Sequence, residues 1–264
     1  MKRLTLFAKG NVDVHDSLHS CRIGGELLWN GINDVLRTTD RDVTVRIRHE
    51  TMTRSDALLH ADGAVPEEVA QRDLPLGAYP AKSQFSRSIF DTAADAIVLS
   101  VQPDVASGMM RHSADGYFFY PNEASNWAIE DREWLNKQFE SLARLSVADS
   151  MANLAAIIGR IRKSSEAPIL IYNLSPIVAR ETIHCYLGIG ETVSMRIRRF
   201  NLGLAELSEE TGVSIVDVDT IVARHGADAL KIDAMHLTPE GYELVAREVV
   251  RVLEDLGLFE DERD

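Results

Sequence analysis

The sequence predicts a three-layer α/β fold, in which helices cover both faces of a five-stranded parallel sheet. Three observations point to it. Short apolar runs recur along the chain, amphipathic helical segments separate them, and the length of 264 residues, with 45% hydrophobic and 26% charged residues, is ample for a buried core. Because strands alternate with helices, we expect parallel pairing through right-handed crossovers.

Five apolar runs are predicted to be the strands of this sheet. They cover residues 4–8, 43–47, 96–101, 169–174 and 213–218. β-Branched residues dominate the later four runs, while the first run, LTLFA, is apolar without them. Runs of this length, bounded by polar or turn residues, are typical of strands buried on both faces.

Three helical segments follow from the spacing of apolar residues. The first covers residues 131–163, the second covers residues 194–211 and ends before Gly212, and the third begins at Thr238-Pro239. Thr238 can cap its helix and proline suits a first helical turn. We expect a single domain over residues 1–259 and a frayed acidic tail over residues 260–264.

Two long connections, residues 61–92 and 102–130, have weak periodicity. Each is expected near the carboxyl edge of the sheet, where open α/β sheets place their ligands. The second connection is rich in aromatic residues, which are expected either to pack it onto the sheet or to contact a substrate.

The charge balance excludes some classes of partner. The chain has 28 Lys and Arg against 41 Asp and Glu, a formal net charge of −13, which repels nucleic-acid phosphates and anionic lipid headgroups. Two cysteines cannot form a disulfide framework. The apolar run after the basic start is too short for a secretory signal, so the expected location is cytoplasmic.

An Asp and a His stand three residues apart just before the third helix. In the loop that holds them, Asp233 can accept a hydrogen bond from one ring nitrogen of His236. That contact fixes the tautomer and leaves the other nitrogen free to act as a base. Taken alone, such a pair is more consistent with a simple loop contact than with a catalytic pair.

The residues around this pair resemble a known motif. The run DAMHLTPEGYELVA, together with the strand and helix before it, resembles the last motif of the SGNH (GDSL-like) hydrolase superfamily. The resemblance implies a flavodoxin-like fold and hydrolysis of an ester, thioester or amide by a Ser-His-Asp triad. It also implies that His236 is the base and Asp233 its orienting partner.

The position of the nucleophile depends on where the first strand ends. The family places its serine in a Gly-Asp-Ser-Leu motif after that strand, and this chain offers His15-Asp16-Ser17-Leu18. If the strand runs to Val14, Ser17 stands at its tip. If it ends near Ala8, Gly10-Asn11-Val12 takes the place of the motif. Because the first register matches three of four motif residues, we expect Ser17 to be the nucleophile.

Two residues are expected to bind the substrate or the oxyanion. Gln102 follows the third strand where the family carries an asparagine, and its side-chain amide can donate to an oxyanion as asparagine does. The alternative is a turn residue before Pro103. His49 ends the second strand, where it lines the pocket or is simply solvated.

A second cluster is compatible with a metal. Asp13, His15, Asp16 and His19 form a D-x-H-D-x-x-H pattern, and His49 is a candidate third histidine. No H-E-x-x-H motif accompanies them, and a polar loop at a strand end collects such residues without a metal. We expect no metal and no other cofactor.

These observations predict a serine hydrolase that cleaves an acetyl or short acyl ester of a small metabolite or sugar. Its partner is a small-molecule ester, with no nucleic acid and no membrane. Two alternatives remain open at this stage. The loss of the family's middle glycine and asparagine motifs favours an SGNH-fold binding protein without hydrolase activity, and exclusion of water would give an acyltransferase on the same triad.

Overall fold

A computed structural model of the chain describes residues 2–19, 21–23, 25–39, 42–178 and 180–260. These residues form two compact units. Unit 1 contains the residues up to 49, residues 93–102 and the residues from 166 onward, and unit 2 contains residues 50–92 and 103–165. The single domain that the sequence predicts over residues 1–259 stays a prediction. Beyond residue 260, the predicted frayed tail lies outside the described residues.

Ten strands occur within the described residues. They are β1 (Lys2–Gly10), β2 (Cys21–Ile23), β3 (Glu26–Trp29), β4 (Val43–Thr51), β5 (Ala96–Ser100), β6 (Met109–His112), β7 (Phe118–Phe119), β8 (Phe139–Leu142), β9 (Ile169–Tyr172) and β10 (Ser214–Val216).

Twelve α-helices occur in the same residues, together with 3-10 turns at Ser88–Phe90 and Ala124–Asn126. The α-helices are α1 (Val12–Leu18), α2 (Ile32–Arg37), α3 (Ser55–His60), α4 (Glu67–Ala70), α5 (Ala81–Gln84), α6 (Gln102–Ala106), α7 (Ile129–Gln138), α8 (Val147–Ile161), α9 (Val193–Thr211), α10 (Val218–His225), α11 (Ala227–Leu230) and α12 (Pro239–Asp255). None of the helices in the described part of the chain is long and apolar enough to cross a membrane.

The main sheet is five-stranded and parallel, with the order β10-β9-β5-β1-β4. Leu6 pairs with Ala96 across β1 and β5, and Val98 pairs with Leu170 across β5 and β9. Numbered along the chain, this order is 2-1-3-4-5, which is the order of flavodoxin-like folds. The predicted fold class is therefore confirmed, and all five predicted strands are present.

Both faces of this sheet are buried. Leu6, Ala8 and Val98 belong to a core that includes apolar residues of α1, α2, α10 and α12. Phe7 and Leu99 alternate with them along the strands and are also almost fully buried. Because side chains alternate between the faces of a strand, the pattern requires cover on both sides and fits the three-layer arrangement.

Unit 2 has its own sheet and its own core. Strands β7, β6 and β8 form an antiparallel sheet in that order. Phe119, Trp127, Trp134 and Phe139 pack together in a buried aromatic cluster. The aromatic residues of the second long connection thus form the core of unit 2, whereas the sequence predicted that they pack onto the main sheet or contact a substrate.

The helical predictions have mixed outcomes. Helix α9 ends before Gly212, which adopts the left-handed conformation with φ of 71°. Thr238 caps α12 by accepting from the amide of Gly241. The single helix predicted over residues 131–163 is wrong, because β8 interrupts it between α7 and α8.

Candidate active site

The predicted Asp233–His236 pair forms in the loop before α12. His236 Nδ1 lies 2.7 Å from Asp233 Oδ2, and the side chains are 47% and 54% exposed respectively. The second carboxylate oxygen accepts from the backbone amides of Met235 and His236 at 2.8 and 2.9 Å. With the carboxylate facing Nδ1, the ring proton resides there, and Nε2 is the nitrogen that can take a proton.

The charge state of Asp233 suits this role. Partial burial acts to raise its pKa, but the two backbone amides and the His236 ring outweigh burial and hold the pKa below its ordinary value. The carboxylate therefore stays ionised at neutral pH, where it orients the imidazole and can stabilise an imidazolium.

Two side chains fix the loop that carries the pair. Gln102 is almost fully buried, and its Nε2 donates to the carbonyl oxygen of Met235 at 2.9 Å. Lys231 Nζ donates to the carbonyl oxygens of Ser175 at 3.0 Å, Ile177 at 2.5 Å and Ala234 at 3.2 Å. This hydrogen bond places Gln102 beside the pair and gives it a positioning contact, and its predicted oxyanion-binding role stays a prediction.

Lys231 has an unusual environment for a lysine. Partial burial lowers its pKa to about 8, while the charges of Asp233 and Asp219 act in the opposite direction. Its three carbonyl partners join the segment after β9 to the loop of the Asp233–His236 pair. Lys231 is not among the site residues predicted from the sequence. A lysine two positions before the motif aspartate, in an otherwise apolar and acidic stretch, was the available signal.

The first strand ends earlier than the Ser17 register requires. That register needs β1 to extend to Val14, and it is wrong: β1 ends at Gly10, and α1 begins at Val12. Ser17 consequently lies near the end of α1 and is fully buried. Its hydroxyl donates to the carbonyl oxygen of Asp13 at 2.7 Å and lies 3.0 Å from the hydroxyl of Tyr172.

Val12 is therefore the first residue of the helix that follows β1, with Asn11 between the two elements. It is half-buried in the first turn of α1. A valine side chain has no nucleophilic atom, so the family's serine has no counterpart at this place. The physical reason for the shorter strand is that residues 12–18 satisfy their backbone groups as a helix, with the amide of His15 donating to the carbonyl of Asn11.

Asp13 carries a buried carboxyl group in the first turn of α1. One of its oxygens accepts from the hydroxyl of Ser100, and the other, Oδ1, is buried without a hydrogen-bond partner among the described residues. Burial raises its pKa to about 6. Asp13 also lines a cavity of about 20 Å³ with Tyr172 and Lys231. That volume is about the space of one water molecule.

His49 lies on β4 and contacts the end of β1. Its Nε2 is 3.1 Å from the carbonyl oxygen of Gly10, and its ring meets that of His15 edge-on at 5.2 Å. Burial, followed by the charge of His15, lowers the pKa of His49 to about 4. The ring is therefore neutral at physiological pH and can donate from Nε2 to Gly10. The predicted substrate-binding role of His49 stays a prediction.

Comparison with known proteins supports the fold of this site. No protein-family model matches the chain, and no curated protein sequence matches it. Among solved structures, the acetylxylan esterase Axe2 from Geobacillus stearothermophilus is 12% identical with a TM-score of 0.51, and 94% of this chain covers 93% of that one.

Two further structures are similar over nearly their whole lengths. The lipase/acylhydrolase from Enterococcus faecalis is 11% identical, with a TM-score of 0.51 and full coverage of both chains. A member of the lipolytic protein G-D-S-L family from Veillonella parvula DSM 2008 is also 11% identical. Its TM-score is 0.50, and 95% of this chain covers 98% of it. The chain therefore shares its fold with these structures.

Proposed function

We propose that this protein hydrolyses an acyl ester of a small molecule, with His236 as general base and Asp233 as its orienting partner. The observation that carries the proposal is the 2.7 Å contact between His236 Nδ1 and Asp233 Oδ2, in a loop that Gln102 and Lys231 hold in place. Structures with the same fold include an acetylxylan esterase and a lipase/acylhydrolase, which supports ester chemistry.

The nucleophile in this proposal is water. Val12 follows the strand end, and the Ser17 hydroxyl is buried against Asp13 and Tyr172. His236 Nε2 removes a proton from water as the water oxygen bonds to the ester carbonyl carbon. The carbon–oxygen bond of the leaving group then breaks, and His236 returns the proton to that oxygen. One ester and one water give one acid and one alcohol.

The Ser17–His236–Asp233 triad is the competing form of the same hydrolysis. For Ser17 to attack, its hydroxyl must leave the carbonyl of Asp13 and the hydroxyl of Tyr172, and α1 must open. Gln102 would then share its amide between the carbonyl of Met235 and an oxyanion. The triad differs from the water mechanism in one testable respect, because it passes through an acylated serine.

A second function is a binding protein without hydrolase activity. The observation in its favour is Val12, which places a side chain without a nucleophilic atom after the strand end. In this case the Asp233–His236 pair recognises a ligand, and His236 contributes to affinity rather than to turnover.

Turnover of p-nitrophenyl acetate by the wild type and by His236→Ala tests the proposal. Loss of a general base is expected to lower kcat/KM by about 10²–10⁴-fold. His225→Ala is the matched control, because His225 is an exposed histidine in the last turn of α10. It should retain wild-type activity. Equal activity in His236→Ala and the wild type would contradict the proposal.

A fluorophosphonate probe separates the three possibilities. The water mechanism predicts turnover that depends on His236 without labelling of the wild type. Labelling that disappears in Ser17→Ala identifies the triad. The absence of both labelling and turnover across acetyl, butyryl and acetylated-sugar esters, together with ligand binding weakened by His236→Ala, indicates the binding protein.

A further inference from the structure

A chain of hydrogen bonds leads from α1 through the end of β5 to the loop before α12. The hydroxyl of Ser100, the last residue of β5, donates to a carboxylate oxygen of Asp13. The same hydroxyl accepts from the backbone amide of Gln102 at 2.9 Å, and Gln102 Nε2 donates to the carbonyl oxygen of Met235 at 2.9 Å. We propose that Asp13 and Ser100 are positioning residues, which act through this chain to hold the base His236 in place.

The chemistry of the groups fixes the direction of each hydrogen bond in the chain. A backbone amide can only donate, so the oxygen of Ser100 accepts from Gln102 and its single hydrogen is left for Asp13. An ionised carboxylate accepts that hydrogen, and so does the unprotonated oxygen of a neutral carboxyl group. The chain is therefore complete in both protonation states of Asp13.

The middle of the chain has no substitute partners. Gln102 is the first residue of α6, where backbone amides lack an acceptor within the helix, so its amide depends on Ser100. The side chains of Asp13, Ser100 and Gln102 are all buried. Because water does not replace a partner lost at such a place, breaking one link leaves a buried polar group unpaired and favours a shift of its neighbours.

The end of the chain acts on the peptide unit that joins Met235 to His236. Gln102 binds the carbonyl oxygen of this unit, and the amide of the same unit donates to Asp233 Oδ1 at 2.9 Å. Since a peptide unit is planar, holding its carbonyl also fixes the direction of its amide. Gln102 and Asp233 thus hold the backbone of the base from opposite sides.

Two further contacts define how large the effect should be. Asp13 lines the cavity of about 20 Å³ together with Ala234 and Met235, so its carboxyl group also adjoins the loop itself. Lys231 Nζ donates to the carbonyl oxygen of Ala234 at 3.2 Å and is a second anchor of the loop. Loss of the chain should therefore loosen the loop without releasing it.

This role rests on the proposed hydrolysis, in which His236 is the base, but the position of the loop can be measured without substrate. Amide hydrogen exchange of Met235 and His236, followed by NMR, reports it. Ser100→Ala and Asp13→Ala should each speed this exchange about fivefold or more. In Asp13→Asn the amide oxygen still accepts from Ser100, so exchange should match the wild type.

Turnover of p-nitrophenyl acetate by the same variants tests the consequence for catalysis. In Ser100→Ala and Asp13→Ala, kcat should fall about tenfold while KM stays within about twofold, because the chain holds the base and both residues are buried. Asp13→Asn should keep the wild-type kcat. The double variant Asp13→Ala/Ser100→Ala should lose no more than Ser100→Ala alone, since both residues act through one chain.

Ser150→Ala is the matched control, because it removes a buried hydrogen bond of the same kind from unit 2, where the Ser150 hydroxyl donates to Asp104. Its loop exchange and kcat should match the wild type. If Asp13→Ala does not fold, Ser100→Ala decides.

Wild-type loop exchange in Ser100→Ala overturns the proposal, and so does exchange that is faster to the same degree throughout unit 1, which would indicate a purely structural role. If the wild type has no ester turnover, faster exchange confined to the loop of Ser100→Ala still supports the chain, and only the hydrolysis is contradicted.

Discussion

Ser17 and Val12 show how a single residue's local structure decides the chemistry available to a site. The motif Asp16-Ser17-Leu18 matches a family pattern in letters, yet Ser17 lies on a helix with its hydroxyl bonded to the carbonyl four residues earlier. Motif matching does not report where a strand ends. The apolar alternation of Val12 and Val14 fits a strand and a helix equally well over so short a stretch.

Restoring a serine at the strand end is the sharpest test of this interpretation. Val12→Ser places a hydroxyl in the first turn of α1, which follows β1 after the single residue Asn11. If His236 faces this place, the new serine should become reactive, and a fluorophosphonate probe should label the variant but not the wild type.

The double variant Val12→Ser/His236→Ala is the control, since a serine without its base should remain unlabelled. Unlabelled Val12→Ser with an intact fold would show that His236 does not serve the end of β1.

Asp13 gives stability a dependence on pH. Its folded pKa of about 6 lies above the ordinary 3.8, so the folded state binds this proton more tightly than the unfolded state. Below pH 3.8 this tighter proton binding contributes about 3 kcal/mol to the free energy of unfolding, and the contribution is lost as the pH rises to about 6.

Asp13→Asn removes this titration. Urea unfolding gives the difference in the free energy of unfolding between the variant and the wild type at each pH. This difference, variant minus wild type, should be larger at pH 7 than at pH 4 by up to about 3 kcal/mol. Taking the difference between the two proteins cancels the other acidic groups. A difference that does not change with pH would mean that Asp13 is ionised with an ordinary pKa.

At the scale of elements, α12 and its preceding loop were predictable because the signals are local. A cap, a proline in the first turn and a buried stripe all lie within one stretch of sequence. The failure at residues 131–163 has the opposite cause. The segment FESL becomes β8 because it pairs with β6, and Phe139 joins the aromatic core of unit 2. Neither partner is visible in the local apolar spacing.

The first turn of α12 leaves no room for a side chain at Gly241. A Cβ at this position would lie 2.9 Å from the carbonyl oxygen of Leu230 and 3.0 Å from Cβ of Leu237. Leu237 adjoins His236, so a side chain here would displace the loop of the Asp233–His236 pair.

Gly241→Ala is expected to cost about 1–3 kcal/mol of stability and to lower esterase kcat. Gly159→Ala is the matched helical control, because a Cβ there meets no atom within 4 Å. It should raise stability by about 0.5–1 kcal/mol. Chemical denaturation and ester turnover of the two variants make the comparison, and wild-type behaviour of Gly241→Ala would contradict it.

At the scale of the whole molecule, the five strands and their order follow from the spacing of apolar runs, but the second compact unit does not. Its two segments are interrupted by residues 93–102, which belong to unit 1, and they share an aromatic core that includes Phe85, Phe119 and Trp134. Such a core depends on contacts between segments whose individual periodicity is weak. Aromatic content alone could not distinguish a core from a substrate-binding surface.

Phe119→Ala tests the core of unit 2. Phe119 is fully buried, and its ring lies 5.6 Å from that of Phe139 and 6.4 Å from that of Trp134. We expect this variant to lower the free energy of unfolding, measured by tryptophan fluorescence, by about 3–5 kcal/mol. Phe118→Ala, on the same short strand but half-buried, should cost less. Equal losses would indicate that Phe119 is not central to this core.

The discontinuous units have a consequence for synthesis on the ribosome. Both segments of unit 2 are complete once residue 165 has been added, whereas unit 1 then still lacks β9, β10, α12 and the Asp233–His236 pair. Because domains generally fold as units while the chain grows, unit 2 can fold first. Until β9 arrives, β5 is an unpaired edge that is open to wrong partners. The base of the proposed hydrolase is thus among the last groups to be made, so a nascent chain stalled before residue 233 cannot be active.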